Sequence, residues 1–319
     1  MRYADAHADT FYRVATEGLD PLARDGGLHV NLPRMREAGQ TLQVCSVFTP
    51  RHYSGTAAAG FAARILDAID RHLTADAGAF APVRNRRDLA ALGDRVGLIP
   101  WLEGASPLCG ELWRLDALFA RGVRGIGLTH NHANEVADGC GVPEPRRGLS
   151  AFGRELVARM NELGVAVDCA HLPRPAFDDV MAATKAPPCI SHTGCRALVN
   201  ITRNADDAML RAVADRGGVV GIDFYPGHLR AGAGEPGGPT VTCDDIAAHI
   251  AHALHVCGRE HVVIGGDLDG FADTCSDLRH LGDLDNLERA LARRGLDDDT
   301  IRAVFSANLL RYLGDVLPA

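Results

Sequence analysis

The chain has 319 residues, 46% of them hydrophobic and 23% charged, with a formal charge of −8. That length and balance allow a large core, in one barrel or in two ordinary domains. The acidic balance excludes general nucleic-acid binding, which needs clustered Lys and Arg. No stretch approaches the ~18 consecutive apolar residues of a membrane span.

Taken in chain order, short apolar runs alternate with longer amphipathic stretches, the pattern of repeated βαβ units. Strands are expected at residues 2–6, 41–48, 96–102, 123–129, 166–170, 188–191, 219–224 and 261–265. Helical periodicity marks 57–73, 148–163, 206–216, 242–256 and 283–294, with a closing helical segment at 297–313. Ser150 and Thr242 suit N-caps, and Gly164 and Gly258 suit helix stops. Residues 131–148 and the Gly- and Pro-rich 226–239 read as loops. No repeat or interdomain linker is visible, so 1–319 is expected to be a single α/β domain. Eight such strands predict a (β/α)8 TIM barrel whose loops after the strands carry specificity.

The nine cysteines form no CxxC pair. Asp5, His7 and Asp9 arrive before an apolar signal segment could form, and the C-terminus carries no lipidation signal. Reduced thiols and a cytoplasmic location are therefore expected. Cys45, Cys169 and Cys189 lie in expected strands as small core residues, and Cys195, close to the expected site, is given no catalytic role. Lys185 is the sole lysine and precedes a strand instead of ending one. Schiff-base chemistry and a carboxylated lysine are thus disfavoured, and a bridging anion has to be Asp or Glu.

Metal-ligating residue types recur where an apolar run has just ended: His7 and Asp9, Glu103, His130, His171, His192 and Asp267. In a parallel barrel those positions share the C-terminal rim, where such barrels carry their chemistry. His7 and Asp9, two apart on a strand end, are expected to face the same way. Glu103 follows an apolar run and needs a cation or several donors to offset its desolvation. His171 and His192 end successive strands, and neutral imidazole suits zinc and similar metals. The set divides into His7, Asp9 and Glu103 for one ion and Glu103, His171 and His192 for another, with Glu103 shared. Each residue alone also has an ordinary structural explanation, such as capping or a core ion pair; the set together is harder to explain that way.

Asp267, in Gly-Gly-Asp-Leu-Asp-Gly, can take a proton from a metal-bound water and pass it to a leaving amine. Asp269 is its rival, with capping of the next turn as the alternative role. His130 can donate to an oxyanion, and Arg203 offers the fork geometry that matches a carboxylate. Asn131, Asn134 and Asp138 either order their loop or line the pocket.

These residues resemble the membrane (renal) dipeptidases of the amidohydrolase superfamily, in their soluble bacterial form. The resemblance rests on Asp5-Ala-His7-Ala-Asp9-Thr, Glu103-Gly, Leu128-Thr-His130-Asn131 with Ala137-Asp138, and Asp168-Cys-Ala-His171. It continues through Ser191-His192-Thr, Arg203-Asn204-Ala-Asp206-Asp207, Gly265-Gly-Asp267-Leu-Asp269-Gly and Asn308-Leu-Leu-Arg311. It implies two Zn²⁺ per chain, with His7 and Asp9 on one, Glu103 bridging, and His171 and His192 on the other. It also implies that Asp267 serves the bridging hydroxide, His130 polarises the scissile carbonyl and Arg203 holds the substrate carboxylate. The substrate would then be a dipeptide with a free C-terminal carboxylate, a D-residue being accepted at that position. Some relatives also open β-lactam rings. Zinc, cobalt and manganese all fit such ligands.

Two departures concern specificity. Ala6 stands where the family has glycine. Phe224-Tyr225-Pro-Gly-His228 places His228 where an aromatic is common, so Tyr225 and His228 join the expected substrate-binding residues with Asn131. The unusual loop that follows keeps open a zinc amidohydrolase acting on N-acyl amino acids, lactams or a dipeptide-like intermediate. A binding protein on a retained barrel is disfavoured by the intact ligand set. The expected partner is a small molecule, not nucleic acid or membrane. A homodimer stays open, since no interface can be read from the sequence.

Overall fold

A computed structural model describes all residues, 1–319. Nine parallel strands form one sheet: β1 (Tyr3–Ala8), β2 (Gln40–Phe48), β3 (Phe80–Pro82), β4 (Val96–Glu103), β5 (Gly125–Gly127), β6 (Ala166–Asp168), β7 (Cys189–Thr193), β8 (Val219–Ile222) and β9 (Val262–Ile264). Eight of them run in the order β1-β2-β4-β5-β6-β7-β8-β9, and β3 pairs with the start of β4 off that path. The eight are those expected from the sequence, several of them shorter, and the fold is a (β/α)8 barrel. β3 was not expected, because its short run Phe80-Ala81-Pro82 ends in a proline, which argues against a strand.

The ring closes just beyond β9. Asp267 N–H donates to His7 O at 2.9 Å, and Asp9 N–H donates to Leu268 O at 3.0 Å. Beneath them the Asp5 carboxylate accepts from Gly266 N–H at 2.8 Å and from Tyr3 Oη at 2.6 Å. The seam of the barrel is thus stitched by the segments that carry His7, Asp9 and Asp267.

Side chains alternate across the strands. Ala4, Leu42, Val44, Ile99, Trp101 and Val263 fill one buried cluster with Tyr312, Leu313 and Val316. Tyr3, Cys45, Val47, Leu98, Ile126, Val220 and Ile264 pack outward against the helices. Period-2 alternation of apolar residues on both faces is what a doubly covered parallel sheet requires. Trp101 lies against Gly125, where an added Cβ would meet the indole at 2.1 Å; its Nε1 donates to Asp168 Oδ2 at 3.0 Å.

The expected helices are present as Gly55–Ala75, Ala151–Leu163, Asp207–Asp215, Cys243–Cys257 and Asp285–Arg293. Ser150 accepts from Gly153 N–H at 3.0 Å, and Gly164 ends its helix at φ 69°. Thr242 N–H donates to Asp245 Oδ2 at 2.9 Å. The closing segment is broken into Asp298–Arg302, a π-turn at Ala303–Ala307 and Asn308–Val316. Further helices, among them Thr10–Glu17 and Arg174–Ala183, were not expected. The loop expected at 226–239 begins with one helical turn, Pro226–Leu229. No helix is long and apolar enough to cross a membrane. All nine cysteines are free, and all but Cys109 are buried.

Candidate metal centre

Six side chains meet at the C-terminal rim around Glu103, the last residue of β4. Glu103 Oε1 lies 3.1 Å from His171 Nε2, 3.6 Å from His192 Nε2 and 3.7 Å from His130 Nε2. Its other oxygen, Oε2, lies 3.7 Å from His7 Nε2 and accepts from Ser46 Oγ at 3.1 Å. His7 Nε2 is also 3.7 Å from Asp9 Oδ2 and 3.7 Å from Asp267 Oδ1. Every expected donor is therefore in one cluster, and Glu103 faces two sets of partners with its two oxygens.

The local backbone aims these groups. Between the pairs Asp5↔Gln43 and Ala8↔Cys45, β1 holds one residue more than β2. Between Ile190↔Val220 and Thr193↔Ile222, β7 likewise exceeds β8 by one. Such bulges re-aim side chains beside active sites, and here they fall at His7 and at His192. His7 and Asp9 face one site, as the sequence suggests, with His7 Nε2 3.7 Å from Asp9 Oδ2, though not by regular alternation along a strand. His7 lies at a bulge, and Asp9 lies just past the strand, at the N-cap position of the helix Thr10–Glu17 with no side-chain capping hydrogen bond. His171, Asp267 and Asp269 all adopt positive φ, at 63°, 56° and 71°. Non-glycine residues held there cost energy and cluster at functional sites.

The donor chemistry fits divalent cations. His171 Nδ1 is 2.8 Å from Asn131 Oδ1, which can only accept, so the ring proton sits on Nδ1 and Nε2 presents a lone pair. Ser191 Oγ lies 2.9 Å from His192 Nδ1 and can fix that ring in the same sense. Glu103 Oε1, His171 Nε2 and His192 Nε2 then converge as three electron-pair donors, the two nitrogens 3.0 Å apart. Ligands about 2.0–2.1 Å from a tetrahedral zinc stand about 3.3 Å from one another, close to these separations. On the other side, buried His7 Nδ1, His7 Nε2 and Asp9 Oδ1 have no hydrogen-bond partner. Buried polar atoms left without partners are costly unless a cation or another donor satisfies them.

Among the protein groups alone, burial and the Arg203 charge hold His171 well below the ordinary imidazole range. Burial and the His7 charge do the same for His192. Both are therefore neutral, as metal ligation requires. Burial would lower His7 as well, but the Glu103 and Asp9 carboxylates lift it well above its usual value. Burial also tends to raise Glu103, yet His7 and His171 beside it hold it well below the carboxylate range. Asp267 is pushed well up by burial, with Asp9 and Glu103 adding repulsion against the pull of His7.

The donors open into a cavity of about 480 Å³, lined also by Tyr12, Phe48, Asn131, Arg203, Tyr225, His228 and Phe271. Arg203 Nη2 donates to His192 O at 3.0 Å and lies 3.1 Å from His171 Nε2. Asp269 does not cap the following turn. Its carboxylate is buried and accepts from Thr10 Oγ1, His29 N–H and Val30 N–H at 2.8, 2.6 and 3.1 Å. That ties it to the loop after the first helix, so that of Asp267 and Asp269 it is Asp267 that lies beside His7. Asn131 reaches the cavity and also orients His171. Asn134 Oδ1 accepts from Val136 and Ala137 N–H at 2.8 and 3.2 Å, while Asp138 pairs with Arg147 at 3.1 Å; both order the loop.

Sequence reasoning missed Ser46, Ser191, Asp223 and the aromatic wall of Tyr12, Phe48 and Phe271. Asp223 and Phe48 carry the same signal as the donors, a position at the end of a strand. Ser46 and Ser191 act only through neighbours brought close by folding.

The fold and this cluster define a barrel with a candidate two-cation centre at the ends of its strands. A sequence profile of the family described as membrane dipeptidase (peptidase family M19) matches residues 1–317. The chain belongs to that family. It is 34% identical over 240 residues to an uncharacterized dipeptidase of Schizosaccharomyces pombe, covering 73% of this chain and 54% of that one. It is 32% identical over 223 residues to dipeptidase aclJ of Aspergillus oryzae, covering 70% and 52%. The chain thus spans about half the length of these two curated relatives. The crystal structure of dipeptidase AC, a metallopeptidase of family M19, superimposes with a TM-score of 0.93 at 25% identity, covering 100% of this chain and 99% of the other. A metallopeptidase of Rhodobacter sphaeroides, solved with a phosphinate mimic of L-Ala-D-Ala, has the same fold, with a TM-score of 0.91 at 24% identity and 99% of each chain covered.

Proposed function

We propose that this protein is a binuclear zinc dipeptidase that hydrolyses dipeptides with a free C-terminal carboxylate, a D-residue being accepted at that position. One observation carries the reading: a single buried carboxylate, Glu103, turns one oxygen to His171 and His192 and the other to His7. A shared carboxylate between two donor groups is the arrangement that holds two cations together. Family membership and the convergence of His171 Nε2 and His192 Nε2 on Glu103 support it.

In this reading His7 and Asp9 hold one ion, His171 and His192 the other, and Glu103 both. Such ions, when bound, bring the pKa of water toward neutrality and polarise a carbonyl. The chain's own residues do the rest. Arg203 lines the cavity with charge available for the substrate carboxylate, and its fork geometry selects a planar anion. His130 lies beside Glu103 with its side chain 30% exposed, and donates to the carbonyl oxygen as that oxygen gains charge. Asp267 Oδ1, next to His7, takes the proton of the attacking water and delivers it to the leaving amine. Asn131, Tyr225 and His228 face the substrate, and Tyr12, Phe48 and Phe271 line the cavity with apolar surface.

The test is hydrolysis of a dipeptide library with both configurations at each position, before and after chelation and zinc readdition. The reading expects cleavage that is lost on chelation and restored by zinc. Cleavage indifferent to chelation removes the metal; cleavage of N-acyl amino acids or lactams in preference to dipeptides removes the substrate class.

A further inference from the structure

One wall of the cavity holds a carboxylate–imidazole pair whose carboxylate, Asp223, the chemistry above does not use. Asp223, the residue after β8, is fully buried. Its Oδ2 lies 2.8 Å from His228 Nδ1, and its Oδ1 has no partner. Burial alone would raise this carboxyl, but the His228 ring against it brings it below its ordinary value. His228 is itself 13% exposed and lines the cavity beside Arg203 and Tyr225. With Nδ1 committed to Asp223, the ring edge carrying Nε2 is what His228 can offer to a ligand. Tyr225 packs edge-on against the ring, with centroids 4.8 Å apart, and limits its rotation.

The backbone joins this pair to Arg203. Asn204, the next residue, donates from Nδ2 to His228 O at 2.9 Å and accepts at Oδ1 from Gly194 N–H at 3.1 Å. Arg203 and His228 are therefore held in one frame and present a guanidinium and an imidazole edge to the same cavity. In its doubly protonated form the ring donates from both nitrogens, Nδ1–H to Asp223 and Nε2–H to a ligand, and such a donor pairs best with an anionic oxygen. A ligand without such an oxygen would leave Nε2–H without a partner in a half-enclosed site, which weakens binding.

We propose that the Asp223–His228 pair is a specificity element selecting dipeptides whose C-terminal residue is aspartate or glutamate. Arg203 takes the main-chain carboxylate and His228 Nε2–H the side-chain carboxylate. The proposal rests on the dipeptidase reading, and its test separates the two.

The experiment compares kcat/KM of the full-length, zinc-loaded protein for alanyl-aspartate, alanyl-glutamate, alanyl-asparagine and alanyl-alanine, in both configurations of the second residue. The wild type is expected to favour the acidic substrates over alanyl-alanine by about tenfold or more, the worth of one hydrogen bond to a charged group. His228→Phe brings that ratio close to one, and Asp223→Asn lowers it. His228→Gln, which keeps a neutral donor, retains a partial preference. Bound zinc and the circular dichroism spectrum establish that each variant is folded; if the Phe variant is not, the Gln variant decides by whether its ratio falls below that of the wild type. A wild type that cleaves alanyl-alanine as well as the acidic substrates, or that favours asparagine equally, overturns the specificity while leaving the dipeptidase standing. So does a variant that slows all four substrates in the same proportion. A wild type that cleaves none of them ends the dipeptidase reading and this proposal with it.

Discussion

Replacing Glu103 by glutamine removes one charge and leaves shape almost unchanged. The carboxylate stands 3.1 Å from His171 Nε2, 3.6 Å from His192 Nε2 and 3.7 Å from His7 Nε2. An amide keeps one acceptor oxygen but turns an NH2 group toward one of the two donor sets. A unit charge about 4 Å away is worth about 4 kcal/mol at an effective dielectric of about 20, and a divalent ion doubles the figure. Screening by Asp9, Asp267 and water returns roughly half. A loss of about 3–4 kcal/mol at the ion facing the amide follows, or about 100- to 1000-fold in affinity. The assay is zinc titration by calorimetry after dialysis against metal-free buffer, paired with metal analysis and kcat/KM at fixed free zinc. The variant should lose metal relative to the wild type and lose at least about 1000-fold in kcat/KM. Its melting temperature without metal, close to that of the wild type, would show that the fold is intact. A Glu103→Gln protein with wild-type zinc content, affinity within about threefold and unchanged kcat/KM would refute the shared-carboxylate argument.

Asp267→Asn should lower kcat by about 10²- to 10⁴-fold with zinc content retained; a raised KM at unchanged kcat would assign it to binding instead. Arg203→Ala should weaken dipeptides much more than their C-terminal amides, and equal losses for both would remove it from the carboxylate. Asn131→Leu takes away the acceptor of His171 Nδ1–H and should weaken zinc binding about 10- to 100-fold, whereas Asn131→Asp keeps the acceptor and the affinity. Equal affinity in the two variants would show that Asn131 does not orient the ring. Burial raises the thiols, Cys257 and Cys275 to about 12, and only Cys109 is not buried. A thiol reagent at pH 8 should therefore modify at most one of the nine cysteines in the native protein and all nine in denaturant; several fast thiols would contradict the packing.

Much of the barrel was legible in the chain because parallel strands buried on both faces leave continuous apolar runs, such as Val96–Leu102 and Val262–Ile264. The same runs located the candidate donors, since a polar residue at the end of a buried strand has only the rim to occupy. His7, Glu103, His171, His192 and Asp267 were found that way. Strand β3 and the helices Thr10–Glu17 and Arg174–Ala183 were not: β3 ends in Pro82, Thr10–Glu17 spans little more than two turns, and Pro173 and Pro175 at the start of the other helix read as a loop. The aromatic wall was missed because Phe48 and Phe271 carry no chemistry that a motif could flag.

Composition, strand spacing and the order of strand-end residues determined the architecture and which side chains could share one rim. Those are local properties, written in hydrophobic period and residue type. Folding decided which carboxylate serves which partner: Asp269 is drawn into the loop at His29–Val30, Asp267 is left beside His7, and Asp223 is set behind His228. Bulges at His7 and His192 settled where the rings point. Such outcomes depend on contacts between residues as far apart as Thr10 and Asp269, and on burial, which alone sets the cost of an unpaired charge. No window of sequence contains either.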